Sequence, residues 1–112
     1  MDPLLDRGIA LFNRGEFFEC HEVLEEAWTP EHGPRRLFLQ SLIHLAVGFY
    51  HHERGNAVGA ARQLRKGLRK LAAYLPDRES LDTARLHREA QLALTRIEAG
   101  EPVSSYPLIH TR

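Results

Sequence analysis

Residues 21 to 25 read His-Glu-Val-Leu-Glu. On a helix, positions three and four apart share a face, so His21 lies over Glu25, and Glu22 over Glu25 and Glu26. An imidazole among carboxylates has two chemical uses. It can help hold a divalent ion, with a glutamate as general base toward the water that ion activates. It can equally close a hydrogen-bond network that satisfies polar groups in a half-buried seam. The zinc-protease string His-Glu-x-x-His is excluded, because its fifth position is Glu25 here. What is left is a one-histidine, carboxylate-rich half-site, closer to the preferences of Mn or Fe than of structural zinc. Cys20 directly precedes His21, but neighbours on a helix point about 100° apart, so the thiol does not face the imidazole and reads as core.

Further donors have to come from the next helix. If the second and third helices form an antiparallel hairpin turning near residues 31 and 32, position 21 faces 42 and position 25 faces 38. Gln40 and His44 then share an edge, with His51 two turns beyond His44. His21, Glu22, Glu25, Gln40, His44 and His51 form a candidate polar seam between two otherwise apolar helices. Glu16, Glu19 and Glu26 read as solvated, and His32, His52, Glu53, His87 and His110 as surface residues. Phe17 and Phe18 read as core, and Trp28 as core or groove, where its ring N–H requires an acceptor.

Five helices must position these residues. The first spans Asp2 to Arg14, with Pro3 at its first position and Gly15 as its stop. The second spans Glu16 to Trp28, ahead of Pro30. The third, Pro34 to Arg54, is apolar almost all round and so is central. The fourth, Asn56 to Leu75, sets Ala61, Leu64, Leu68 and Leu71 against a stripe of Arg62, Arg65, Lys66, Arg69 and Lys70. Ser80 opens a fifth, to Ala99. The expectation is an all-α, single-domain bundle of antiparallel helical hairpins over residues 1–100, with an extended tail over 101–112. Tyr106, Leu108 and Ile109 of that tail are suited to lie across the bundle or a neighbouring subunit. Arg14-Gly15 and Arg54-Gly55 form a faint echo of one another, short of a true repeat.

Composition bounds the function. The 112 residues suffice for one core, and 43% hydrophobic with 27% charged residues is ordinary for a globular chain. The longest apolar run, LIHLAVGFY, is too short to span a membrane. MDPLLDRGIALF has no basic start ahead of an apolar run, so no secretory signal is expected. Cys20 is the only cysteine, which fits a reducing, cytoplasmic setting. The net charge is zero but divided: Glu16 to Glu31 holds six glutamates and no Lys or Arg, and Arg54 to Lys70 holds six basic residues and no acid. Two helices of one molecule attracting each other is the reading preferred over two separate binding surfaces. Neutrality and the lack of interleaved aromatics argue against nucleic acid as a partner.

The ordered segments FNRGEFFECHEVLEEAW, RRLFLQSLIHLAVGFYHHERGNAVGAARQL and KGLRKLAAYLP resemble a family of small all-helical bacterial and archaeal proteins, domain of unknown function 309. The matching positions are Phe12, Asn13, Gly15, His21, Glu22, Glu25, Trp28, Gln40, Tyr50, His51, Arg54, Gly55, Asn56, Gly59 and Ala60, within residues 5 to 75. His44 falls where the family more often carries Gln. The resemblance implies an all-α fold, and members are often labelled predicted metal-dependent hydrolases. By carry-over it implies His21, Glu25 and His51 as ligands of one divalent ion and Glu22 and Glu25 as catalytic groups. Gln40, His44 and Asn56 are then the supporting polar residues, and Trp28 and Tyr50 the aromatic positions open to a partner. Two functions stay open: a metal-dependent hydrolase, or a non-catalytic module, binding a protein partner or a second copy, in which the seam only fixes helix register.

Overall fold

The computed structural model describes residues 2–112, and Met1 lies outside the described residues. The helices are α1 (Pro3–Asn13), α2 (Phe17–Trp28), α3 (Pro34–Glu53), α4 (Ala57–Leu71, followed by a 3-10 turn at Ala72–Tyr74) and α5 (Thr83–Glu98). Several of their ends have a local reason. The Asp2 carboxylate accepts from the Leu4 N–H at 2.9 Å and starts α1 ahead of Pro3. Asn56 Oδ1 accepts from the Gly59 N–H at 2.9 Å and starts α4. Gly15 and Gly55 adopt φ of +76° and +78°, the left-handed conformation that closes a helix.

The two glycine corners share one geometry. Glu16 N–H donates to the Leu11 carbonyl at 3.0 Å and Asn56 N–H to the His51 carbonyl at 2.8 Å, each beside a glycine N–H that donates to the residue after the acceptor. The Arg-Gly echo in the sequence is thus the same hydrogen-bonded corner built twice. The helices then pack in chain order, α1 on α2, α2 on α3, α3 on α4 and α4 on α5. Close approach of α3 and α4 depends on two glycines. A Cβ on Gly48 would lie 2.8 Å from the Leu64 side chain, and one on Gly67 would lie 2.9 Å from Leu45 and 3.0 Å from the Ser41 carbonyl.

The core gathers Phe12, Phe17, Phe38, Phe49 and the leucines of all five helices. Residues after α5 cross back over it. The Tyr106 ring sits 5.2 Å from Phe17 and 5.1 Å from Phe49, and its hydroxyl is 2.7 Å from His52 Nδ1. Asn13 holds Ile109 on both sides: its Nδ2 donates to the Ile109 carbonyl at 2.9 Å, and its Oδ1 accepts from the Ile109 N–H at 2.7 Å. A half-buried Arg35 joins Asp2, Glu31 and Glu79 through contacts of 2.8 to 2.9 Å, tying the starts of α1 and α3 to the segment before α5. Burial works against ionisation of Asp2, but the Arg35 guanidinium and the Leu5 and Leu4 N–H groups outweigh it and hold the carboxyl below its usual value.

Several expectations need correction. α5 starts at Thr83 rather than Ser80, because Asp82 supplies the cap, accepting from the Arg85 N–H at 3.0 Å. Glu79 and Ser80 are instead the corner of a tight turn at φ of +50° and +66°, closed by reciprocal Arg78–Leu81 hydrogen bonds. α4 ends at Leu71, before the position expected from its leucine pattern. Phe18 is not a core residue: it is 49% exposed. His52 is half-buried against Tyr106 rather than a free surface group. The attraction expected between α2 and α4 does not take the form of an ion pair among the described residues. The cross-helix pair that α4 makes is Arg65 with Glu98 of α5, because α3 stands between α2 and α4.

Candidate functional site

With α3 between α2 and α4, its outward side is the floor of a groove and the other two helices are the walls. Glu25 and Trp28 of α2, Gln40, Ile43, His44 and Val47 of α3 and Gln63 of α4 line a cavity of about 280 Å³ there. The hairpin register brings Phe18 to Tyr50, with ring centres 5.4 Å apart, and Arg36 to Trp28. The Trp28–Arg36 pair keeps to within one residue the register of 21 with 42 expected from the turn, whereas Phe18–Tyr50 lies several residues off it.

His21 and Glu25 are brought together. The Nδ1–H of His21 donates to the Phe18 carbonyl at 2.8 Å, which leaves Nε2 3.4 Å from Glu25 Oε1. The ring is half-buried and meets Phe18 edge-on at 5.2 Å, while Glu25 is 52% exposed. Glu22 is exposed to solvent. His51 lies farther along α3 beside Tyr50, ring centres 6.2 Å apart, and its carbonyl closes the corner at Asn56. Asn56 itself is the exposed cap of α4. Gln40 joins the cavity wall, apart from His51 and Asn56.

His44 is the most constrained side chain of the groove. Lys70 Nζ lies 3.2 Å from Nε2, and an ammonium only donates, so Nε2 is the acceptor and Nδ1 carries the proton. That Nδ1–H donates to Gln63 Oε1 at 2.8 Å. Burial, with the charges of Lys70 and Lys66 added and the Gln63 bond opposing, holds the imidazole below its ordinary value, so it is neutral at pH 7. Gln63 and Lys70 were not legible as partners of His44. The available signal was that Gln63 interrupts a basic stripe four residues before Gly67, where a missing side chain lets α4 close on α3.

Trp28 presents a different problem. The Arg36 guanidinium stacks 3.8 Å from the centre of its ring, and its Nε1–H is buried with no hydrogen-bond partner among the described residues. Such a donor ordinarily finds an acceptor. Cys20, by contrast, is settled in the core. Its thiol donates to the Gly8 carbonyl at 3.2 Å, and burial pushes it up to about 12, so it is no nucleophile in the folded chain.

A divalent metal is the cofactor that the resemblance implies. His21 Nε2 and Glu25 supply two donors, and among the described residues no three His, Cys, Asp or Glu side chains cluster as an ion site. As placed, these residues are one donor short of the usual minimum for a protein-held catalytic ion and do not fit a resident metal. Among the described residues, no helix is long and apolar enough to cross a membrane.

The chain is 38% identical over 97 residues to the uncharacterized protein YpuF of Bacillus subtilis (strain 168), an alignment covering 84% of this chain and 54% of that protein. The chain thus spans about half the length of this curated relative. Residues 5–63, which run from α1 through both glycine corners to Gln63 in the groove, match the family model described as domain of unknown function (DUF309). On that match, the chain belongs to the DUF309 family.

Proposed function

We propose that the chain is a non-catalytic protein-interaction module whose recognition surface is the groove along α3. The observation that carries this reading is the lining of the groove, in which the Trp28 ring stands among Ile43, Val47 and a few polar side chains. Binding sites combine apolar walls with a few convergent polar groups. Trp28, Ile43 and Val47 supply the first, and Glu25, Gln40 and Gln63 the second. The occupant is a segment of polypeptide with an apolar centre and carbonyl acceptors, which the glutamine amides are suited to meet. Both ring nitrogens of His44 and the Nδ1–H of His21 are already hydrogen-bonded within the chain, so these residues act by fixing how α2 and α4 sit on α3. The hydrolase reading has the His21–Glu25 contact as its support, without a third donor. An acidic wall on one side disfavours nucleic acid. The lone buried thiol supports a reducing, cytoplasmic setting.

Selection of a random peptide library on the immobilised protein tests the proposal. Enriched peptides should bind the wild type and lose at least about tenfold in affinity against Val47→Glu, with the melting temperature of the variant confirming that it is folded. Absence of enrichment, or enrichment indifferent to Val47→Glu, overturns the reading. So does a thermal shift of the wild type with Mn, Fe, Zn or Ni that His21→Ala abolishes.

A further inference from the structure

The groove separates two walls of opposite charge that do not neutralise each other. Glu25 lines the groove from α2 with Glu22 exposed beside it, and among the described residues neither pairs with a Lys or Arg, Glu25 meeting His21. On the other side Lys66 and Lys70 of α4 stand over the groove beside His44, and no acidic residue occurs between Arg54 and Lys70. α2 and α4 are both antiparallel to α3, so they run parallel to each other with α3 between them. We propose that the groove is the contact between two copies of this chain, related by a two-fold axis running along α3, with α2 of each copy on α4 of the other. The inference rests on the interaction-module reading and names its partner.

The position of the axis follows from charge. A two-fold along α3 exchanges left and right across the groove and keeps each level along it, so the acidic wall of one copy meets the basic wall of the other. A two-fold across α3 would set acidic wall on acidic wall and is excluded by repulsion. Glu25 and His44 line the same stretch of the groove, and Lys70 lies 3.2 Å from His44 Nε2 with Lys66 one turn before it on α4, so Glu25 meets the lysine pair across the axis. On the axis itself Gln40 and Val47 face their own copies across the joined grooves. With 20 residues α3 is about 30 Å long, and three helix rows are about 20 Å wide. The contact then covers about 600 Å² per copy, at the lower edge of stable interfaces. A net charge of zero does not oppose self-association.

Sedimentation velocity from about 1 to about 200 μM, at low and high salt, reads the association directly. The wild type should dimerise, more weakly at high salt. Glu25→Lys alone and Lys66→Glu alone should each raise Kd by at least about tenfold, since both place like charges at two symmetric contacts. Mixing the two variants should restore a dimer, because one contact is then reversed and the other native. Unchanged circular dichroism and melting in each variant separate this from misfolding. A monomer at every concentration overturns the proposal, as does dimerisation that Glu25→Lys leaves intact or strengthens, or a mixture that stays monomeric. Such results leave the peptide selection to decide the interaction-module reading by itself.

Discussion

Asn13 belongs to the segment matched by the family, yet its side chain serves residues far outside that segment. Replacing it by alanine removes both hydrogen bonds that hold Ile109, of 2.9 and 2.7 Å. At about 1 kcal/mol each, the loss is about 2 kcal/mol. With a urea m-value of about 1.5 kcal/mol/M for a chain of this length, the midpoint should fall by about 1.3 M. Asn13→Asp sharpens the test. It keeps the acceptor for the Ile109 N–H but turns a carboxylate oxygen toward the Ile109 carbonyl, so it should cost at least as much as alanine. Urea unfolding of the three proteins, followed by circular dichroism, measures this. A midpoint shift under about 0.3 M for Asn13→Ala, or an aspartate variant close to wild type, would refute the account of how the tail is held.

Two further outcomes are expected. The folded chain protonates His44 less readily than the unfolded chain, whose imidazole titrates near its ordinary 6.5. The unfolded state therefore gains the proton first, and stability present above about pH 6.5 is lost as the pH falls through and below that value. Urea midpoints at pH 7.5, 6.5 and 5.5 should decline less steeply in His44→Gln, and equal slopes would contradict this. Ser80 holds φ of +66° without being glycine. Ser80→Gly should then raise stability by about 1 kcal/mol, read as a higher melting temperature by calorimetry, and no rise would show that the turn carries little strain.

The helices were legible because their signals are local. Asp2-Pro3, Gly15, Pro34 and Gly55-Asn56 set boundaries through bonds within a few residues, and leucine spacing marked the buried faces. The start of α5 was not legible, since Ser80 and Asp82 are both credible caps. The burial of Leu81 between them and the bonding of Asp82 N–H to the His110 carbonyl depend on tertiary packing. The same limit applies to the groove. The i, i+4 relation between His21 and Glu25 was readable within one helix. The partners of His44 lie on another helix, and their register depends on glycines at 48 and 67 that a hydrophobic pattern does not rank. Phe17 and Phe18 are indistinguishable by type, and only the direction of α2 on the core buries one and exposes the other.

Helix contacts that follow chain order have a consequence for assembly. Each pair of helices closes over a short loop, so most of the core can form with little loss of chain entropy. The bond between Asn13 and Ile109, 96 residues apart, is the exception and closes a loop over most of the chain. During synthesis Phe12, Phe17 and Phe49 emerge long before Tyr106. Until that ring arrives, the three phenylalanines must be sheltered by the helices alone, which makes the tail the last piece of the core to dock rather than an appendage added to a finished bundle.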